Sequence, residues 1–194
     1  MSDTDVFLWI NGFAGKIAFL DEFFKGISND YFPFITACLV LIWLWFGTRD
    51  SLLREKNQRA VIAAIISIGI VSGLVLLCNH FYFRERPFNT LPASSINIIF
   101  YKPTDSSFPS NVAAVIFAIA ITIIIKNRKY GYWLLALAFL SSFGRVYMGV
   151  HYPLDILGGA ALGALAAFIS LGIVRYIKLL PDLVLKLLRM LSLA

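Results

Sequence analysis

The chain has 194 residues, 59% of them hydrophobic, with a mean hydropathy of +0.80 and a formal net charge of +6. Soluble globular domains are roughly 45–50% apolar, so this composition excludes an ordinary water-soluble domain and predicts a single integral membrane unit. The positive balance would suit a nucleic-acid ligand, but its distribution along the chain assigns it to membrane topology, and no nucleic-acid partner is expected.

Residues 5–24 carry Phe7, Leu8, Trp9, Ile10, Phe13, Ile17, Phe19, Leu20, Phe23 and Phe24, interrupted by Gly12, Gly15, Lys16, Asp21 and Glu22. That mixture predicts an amphipathic helix lying in the interface, so residues 1–30 form an N-terminal segment and 31–194 a helical membrane domain. With Asp3 and Asp5 at the front and no Lys or Arg before Lys16, the segment is a poor cleavable signal peptide. Apolar runs at 32–48, 60–78, 111–125, 131–144 and 155–174 approach the ~20 residues a membrane helix needs. The expected fold is therefore an all-α polytopic bundle of about five spans, with Trp43 and Trp45 at an interfacial end. Cys38 and Cys78 both fall inside apolar spans, without the spacing of a metal site or a disulfide.

Lys and Arg concentrate in loop 49–59, in Lys126-Asn127-Arg128-Lys129, and in a tail carrying Arg175, Lys178, Lys186 and Arg189. Five spans place all three basic segments on one side, which the positive-inside bias makes cytoplasmic. Segments 79–109 and 145–155 then emerge together on the outer face, carrying Arg84, Arg86, Lys102 and Arg145 against that bias. Arginines placed there call for a function.

The block from Gly144 to Asp155 supplies Arg145, His151 and Asp155 between two apolar runs. A helix starting near Tyr152 leaves His151 at its edge and Asp155 about one turn on, so the carboxylate can accept from one ring nitrogen and free the other. Arg145 suits a tetrahedral oxyanion, because its planar fork donates two parallel hydrogen bonds. In the preceding outer segment, Arg84-Glu85-Arg86-Pro87 ends the second span. Ser106 to Asn111 opens the third, with Pro109-Ser110 as an ordinary helix start that also aims free N–H groups outward. Two arginines, a helix N-terminus and a His/Asp pair thus converge on one membrane face, as a phosphate site with a nucleophile requires.

At these residues the chain resembles the type 2 phosphatidic acid phosphatase and vanadium haloperoxidase superfamily, whose membrane members carry the blocks K-x-x-x-x-x-x-R-P, P-S-G-H and S-R-x-x-x-x-x-H-x-x-x-D. Arg86-Pro87 fits the end of the first, Pro109-Ser110 the start of the second, and Arg145, His151 and Asp155 the third in full spacing. Within that superfamily, Tyr82 to Phe88, Ser107 to Ser110 and His151 to Asp155 look most like the bacitracin-resistance type of undecaprenyl pyrophosphate phosphatase. The resemblance implies His151 as a nucleophile forming a phosphohistidine and Asp155 as its orienting partner. It likewise implies Arg86, Arg145 and the amides near Ser110 and Asn111 as phosphate holders. Three positions depart from the pattern: Asn79 stands at the lysine, Gly144 at the serine, and Val112 at the histidine that the family uses as general acid.

The function this implies is hydrolysis of a phospholipid-like membrane substrate, undecaprenyl pyrophosphate to its monophosphate, at the outer face of a bacterial inner membrane. No cofactor and no metal are expected, since no carboxylate cluster suited to magnesium is evident. Lipid A 1-phosphate is an alternative substrate, and a phosphotransferase would hand the same phosphoryl group to a lipid acceptor. Val112, Asn79 and Gly144 together favour a third reading, a catalytically impaired or engineered form that binds lipid phosphate without turnover. The sequence leaves the oligomeric state open. The run Gly158-Gly159-Ala160-Ala161 through Gly163-Ala164 predicts close helix packing.

Overall fold

The computed structural model describes residues 2–177 and 179–191, and among them every regular element is a helix. The N-terminal segment is two helices rather than one. Ser2 and Asp5 form a reciprocal capping box that starts α1 (Asp3–Asn11). Gly15, at φ +78°, turns the chain into α2 (Ala18–Ile27). α1 is also more deeply embedded than an interfacial helix would be: Phe7 is fully buried, and Asn11 donates to the carbonyls of Asn97 and Tyr147.

α3 (Phe32–Phe46) follows a turn in which the Asn29 side chain accepts from the N–H groups of Tyr31 and Phe32, and it is bent by 52° from α2. α4 (Ser51–Phe81) is capped by Asp50 and runs for 31 residues. It therefore absorbs most of the basic 49–59 stretch expected as a loop, helped by an Arg59–Glu55 pair one turn apart. After a single short turn, α5 (Pro87–Thr90), and an irregular stretch come α6 (Asn111–Lys126), α7 (Arg128–Tyr147), α8 (Pro153–Tyr176) and α9 (Leu179–Met190). Helices cover all five expected runs, but length and hydropathy alone qualify two as spans, α4 and α8, or three if bent α2 and α3 count together; α6 is apolar and 16 residues long.

α6 lies at the centre of the bundle, packed by α4, α7 and α8. Helices in lipid gain little from hydrophobic transfer against one another, so close backbone approach through small residues carries the packing. A Cβ added at Gly163 would stand 2.5 Å from the Ala114 carbonyl oxygen, and one at Gly159 would stand 2.6 Å from that of Ser110. The small-residue run of α8 is thus the seam against α6, as its composition predicts.

The start of α4 and the ends of α6 and α8 meet at one end of the bundle, where Lys56, Arg59, Lys126 and Arg175 line a cavity of about 370 Å³. The expected gathering of basic segments is present; Lys178 lies outside the described residues. At the opposite end, the C-termini of α4 and α7 and the N-termini of α6 and α8 converge on the 82–110 stretch.

Candidate active site

His151 sits in the five-residue link 148–152 between α7 and α8, where Tyr152 is the N-cap of α8 and Asp155 its third residue. The expected helix start is therefore in place, and it buries His151 to 2% exposure. Its Nδ1 lies 2.9 Å from the Ser107 carbonyl oxygen and its Nε2 lies 3.2 Å from Arg86 Nη1. A carbonyl can only accept and an arginine can only donate. The two partners together assign the neutral tautomer with the proton on Nδ1 and a lone pair on Nε2. Burial pushes the imidazole down to about 4 from its ordinary 6.5; Asp155 opposes that shift, while the charges of Arg145 and Arg86 reinforce it. At neutral pH the ring is uncharged, with its Nε2 lone pair unprotonated.

Asp155 stands 3.7 Å from His151 Nδ1, beyond hydrogen-bond reach, so the direct bond expected from the one-turn spacing is replaced by the Ser107 carbonyl. The reason is that the carboxylate is already drawn elsewhere. One oxygen accepts from the Tyr152 N–H at 2.8 Å and from the Ser107 hydroxyl, and the other from Arg84 Nη1 at 2.7 Å. Ser107 therefore serves both members of the pair, its hydroxyl to Asp155 and its carbonyl to His151.

A cavity of about 260 Å³ opens in front of the ring, lined by Arg86, Arg145, Asn111 and Val112 together with Asp30, Tyr101, Pro103 and Asp105. Both expected arginines are 3% exposed, and each is held by a carboxylate on the cavity wall. Arg86 donates to the Val150 and Asp105 carbonyls and pairs with the Asp105 side chain at 2.8 Å. Burial lowers Arg86 below the ordinary arginine value, and Asp105 acts against that. Arg145 donates to the Ser28 carbonyl at 3.0 Å and to Asp30 at 2.7 Å, while its Nε has no hydrogen-bond partner among the described residues. Tyr101 donates its hydroxyl to the second oxygen of Asp30.

Ser110 and Asn111 separate in role. Ser110 is fully buried; its N–H is spent on the Asp155 carbonyl at 3.0 Å, and its Oγ has no partner among the described residues. Asn111 reaches the cavity, and the first N–H groups of α6 precede its first intrahelical bond, from Ala114 to Ser110. Of the three departures, two have a visible setting. Val112 forms part of the cavity wall, beside Asn111. Gly144 is a notch: a Cβ there would collide with the Ser28 side chain and stand 2.8 Å from Phe24, so glycine is what lets α2 deliver Ser28 and Asp30 to Arg145. Asn79 lies at the end of α4 with its side-chain oxygen buried and without a hydrogen-bond partner among the described residues, and nothing in the structure explains it.

Asp30, Tyr101, Asp105, Arg84 and Ser107 were not singled out as site residues from sequence. Asp105 and Ser107 abut the Pro109-Ser110 block, and Arg84 belongs to the charged cluster before Pro87, so proximity to those motifs was a usable signal. Asp30 reaches Arg145 across 115 residues, and no local pattern marks it.

The chain is similar along most of its length to characterised proteins. It is 32% identical to the bacitracin transport permease protein BcrC of Bacillus licheniformis, over 85% of this chain and 77% of that one. It is 30% identical to an undecaprenyl-diphosphatase of Sulfolobus acidocaldarius, over 87% and 84% of the two chains. The crystal structure of Aquifex aeolicus LpxE superposes with a TM-score of 0.69 at 30% identity, covering 87% of this chain and 94% of that one. Residues 59–178, well over half of the sequence, match the PAP2 superfamily, and the chain belongs to it.

Proposed function

We propose that the protein is a membrane lipid phosphatase that removes the terminal phosphate of undecaprenyl pyrophosphate through a phosphohistidine at His151. The observation that carries this reading is the fixed tautomer: a neutral imidazole whose Nε2 lone pair faces a cavity with two buried arginines. The names of its relatives support the substrate class.

In the proposed reaction Nε2 attacks the terminal phosphorus in line, and the P–O bond to the departing lipid monophosphate breaks with its electron pair on that oxygen. Arg86 and Arg145 exchange their carboxylate partners for phosphoryl oxygens, and the N–H groups of Asn111 and Val112 assist from the positive end of α6. The ring becomes formally cationic when the P–N bond forms; the Ser107 carbonyl and Asp155 stabilise it. Water then attacks the phosphohistidine, releasing phosphate and restoring Nε2. Catalysis by position and charge of this kind suits phosphoryl transfer. The active end would face outward from a bacterial inner membrane, opposite the basic end of the bundle.

A second reading follows from Val112 and from the pairing of Arg86 with Asp105 and of Arg145 with Asp30. In it, the protein binds lipid phosphate without turnover. Phosphate release from undecaprenyl pyrophosphate in detergent, compared with His151→Ala, separates the two. Release that vanishes in the variant supports the phosphatase. Phosphate on a lipid acceptor identifies a phosphotransferase, and release from lipid A 1-phosphate but not from the pyrophosphate changes the substrate. Lipid binding with no release from either substrate establishes the second reading.

A further inference from the structure

We propose that Asp3, the first residue of α1, is a positioning residue for His151 acting through Arg84 and Asp155. The N-terminal helix, which lies outside the matched residues 59–178, is then a working part of the active site. The inference rests on the phosphohistidine reading above.

Two ion pairs join Asp3 to Asp155, and the last step, to His151, is one of charge proximity rather than a hydrogen bond. Asp3 Oδ2 pairs with Arg84 Nη2 at 2.7 Å, Arg84 Nη1 pairs with Asp155 Oδ1 at 2.7 Å, and Asp155 Oδ2 stands 3.7 Å from His151 Nδ1. The other oxygen of Asp3 accepts from the Leu154 N–H at 3.0 Å, which ties the same carboxylate to the start of α8. Arg84 is held in place over the Tyr152 ring, 4.3 Å from its centroid, and its own N–H and carbonyl bond to Ser106 and Ser107. Asp3 is 12% exposed at its side chain and Asp155 is fully buried.

Charge gives this line a purpose. Arg84 alone would cancel Asp155, leaving little negative potential at a ring that turns cationic as the P–N bond forms. With Asp3 on its far side, the three groups carry one net negative charge, and Asp155 keeps its influence on His151. The docking of α1 does not depend on Asp3, because Phe7 packs on Tyr152 at 5.4 Å between centroids and Asn11 is bonded to two carbonyls. Asp3→Asn should therefore fold, and Asn still offers an oxygen to Leu154.

The test is single-turnover formation of phosphohistidine from undecaprenyl pyrophosphate with an alkaline quench, alongside binding of inorganic orthovanadate as a five-coordinate mimic of the transferring group. Asp3→Asn is expected to slow phosphohistidine formation about tenfold, the low end of what a neighbouring opposite charge is worth. KM should change by less than about twofold, because the substrate touches neither residue. The double variant Asp3→Asn/Arg84→Gln restores the net negative charge and should recover most of the lost rate, a sign of coupling that simple loss of structure does not produce. Vanadate affinity should follow the same order. An active parent with Asp3→Asn unchanged, or with the double variant slower than the single, overturns the role of Asp3 and leaves the phosphatase reading standing. A parent that neither forms phosphohistidine nor binds vanadate overturns both.

Discussion

Val112→His should restore a general acid, and the gain should depend on what leaves. Val112 is the second residue of α6 and shares the cavity wall with Asn111, facing the space in front of His151. The cavity of about 260 Å³ has room for several molecules the size of water, at ~30 Å³ each, enough for a phosphoryl group beside an added imidazole. A positioned acid is worth about 10²–10⁴ in rate, which is about 3–5 kcal/mol of barrier. That full value applies when the departing oxygen is a strongly basic lipid alkoxide. A pyrophosphate departs as a phosphate monoester whose second pKa is about 6, and it hardly needs the proton. We expect Val112→His to raise turnover of an undecaprenyl or lipid phosphate monoester by about a hundredfold or more. Turnover of undecaprenyl pyrophosphate should rise by less than about tenfold. Parallel initial-rate measurements of phosphate release in detergent, on both proteins and both substrates, give the ratio of gains. Equal gains on the two substrates would refute the leaving-group argument.

Two further outcomes follow from the same site. In the proposed reaction Asp30 competes with substrate for Arg145; a charge-assisted bond worth about 1.5–3 kcal/mol, discounted to about 1 kcal/mol because the Asp30 side chain is 33% exposed, translates to about fivefold. Asp30→Asn should thus lower KM about fivefold with kcat little changed, and an unchanged or raised KM in steady-state assays would count against competition. His151 titrates near 6.5 when unfolded and at about 4 when folded, so the unfolded chain binds the proton first. Its contribution to stability is complete above 6.5 and is lost as pH falls toward 4, about 3 kcal/mol in total. His151→Gln should flatten that part of the stability profile in denaturant unfolding at a series of pH values. An identical acid slope in both proteins would show that the ring is not held neutral.

The helices were legible because each apolar run is long and uninterrupted, and the α8 seam was legible because Gly159 and Gly163 recur one turn apart. Arg86, Arg145, His151 and Asp155 were legible from their order and spacing, and the structure brings them to one end of the bundle. What the sequence conceals is pairing. Amphipathicity over 5–24 does not reveal that Gly15 breaks the segment, nor that Phe7 and Asn11 bury α1 against the site. One-turn spacing places Asp155 near His151 but cannot show that Arg84, Ser107 and Tyr152 claim its oxygens first. The partners Asp30, Asp3 and Asp105 approach from loops and helix ends, where no periodicity registers a neighbour 19 to 115 residues away.

The pairing of Arg86 with Asp105 and of Arg145 with Asp30 also bears on how substrate arrives. With His151 neutral, Arg86 and Arg145 balance Asp30 and Asp105 in the cavity lining, so the lining carries no net positive charge to draw soluble anions from beyond a Debye length of ~8 Å. Encounter is then set by two-dimensional diffusion of a lipid already anchored in the bilayer, and the rate should be nearly indifferent to ionic strength. Free phosphate and nucleotides gain no long-range advantage, however abundant they are.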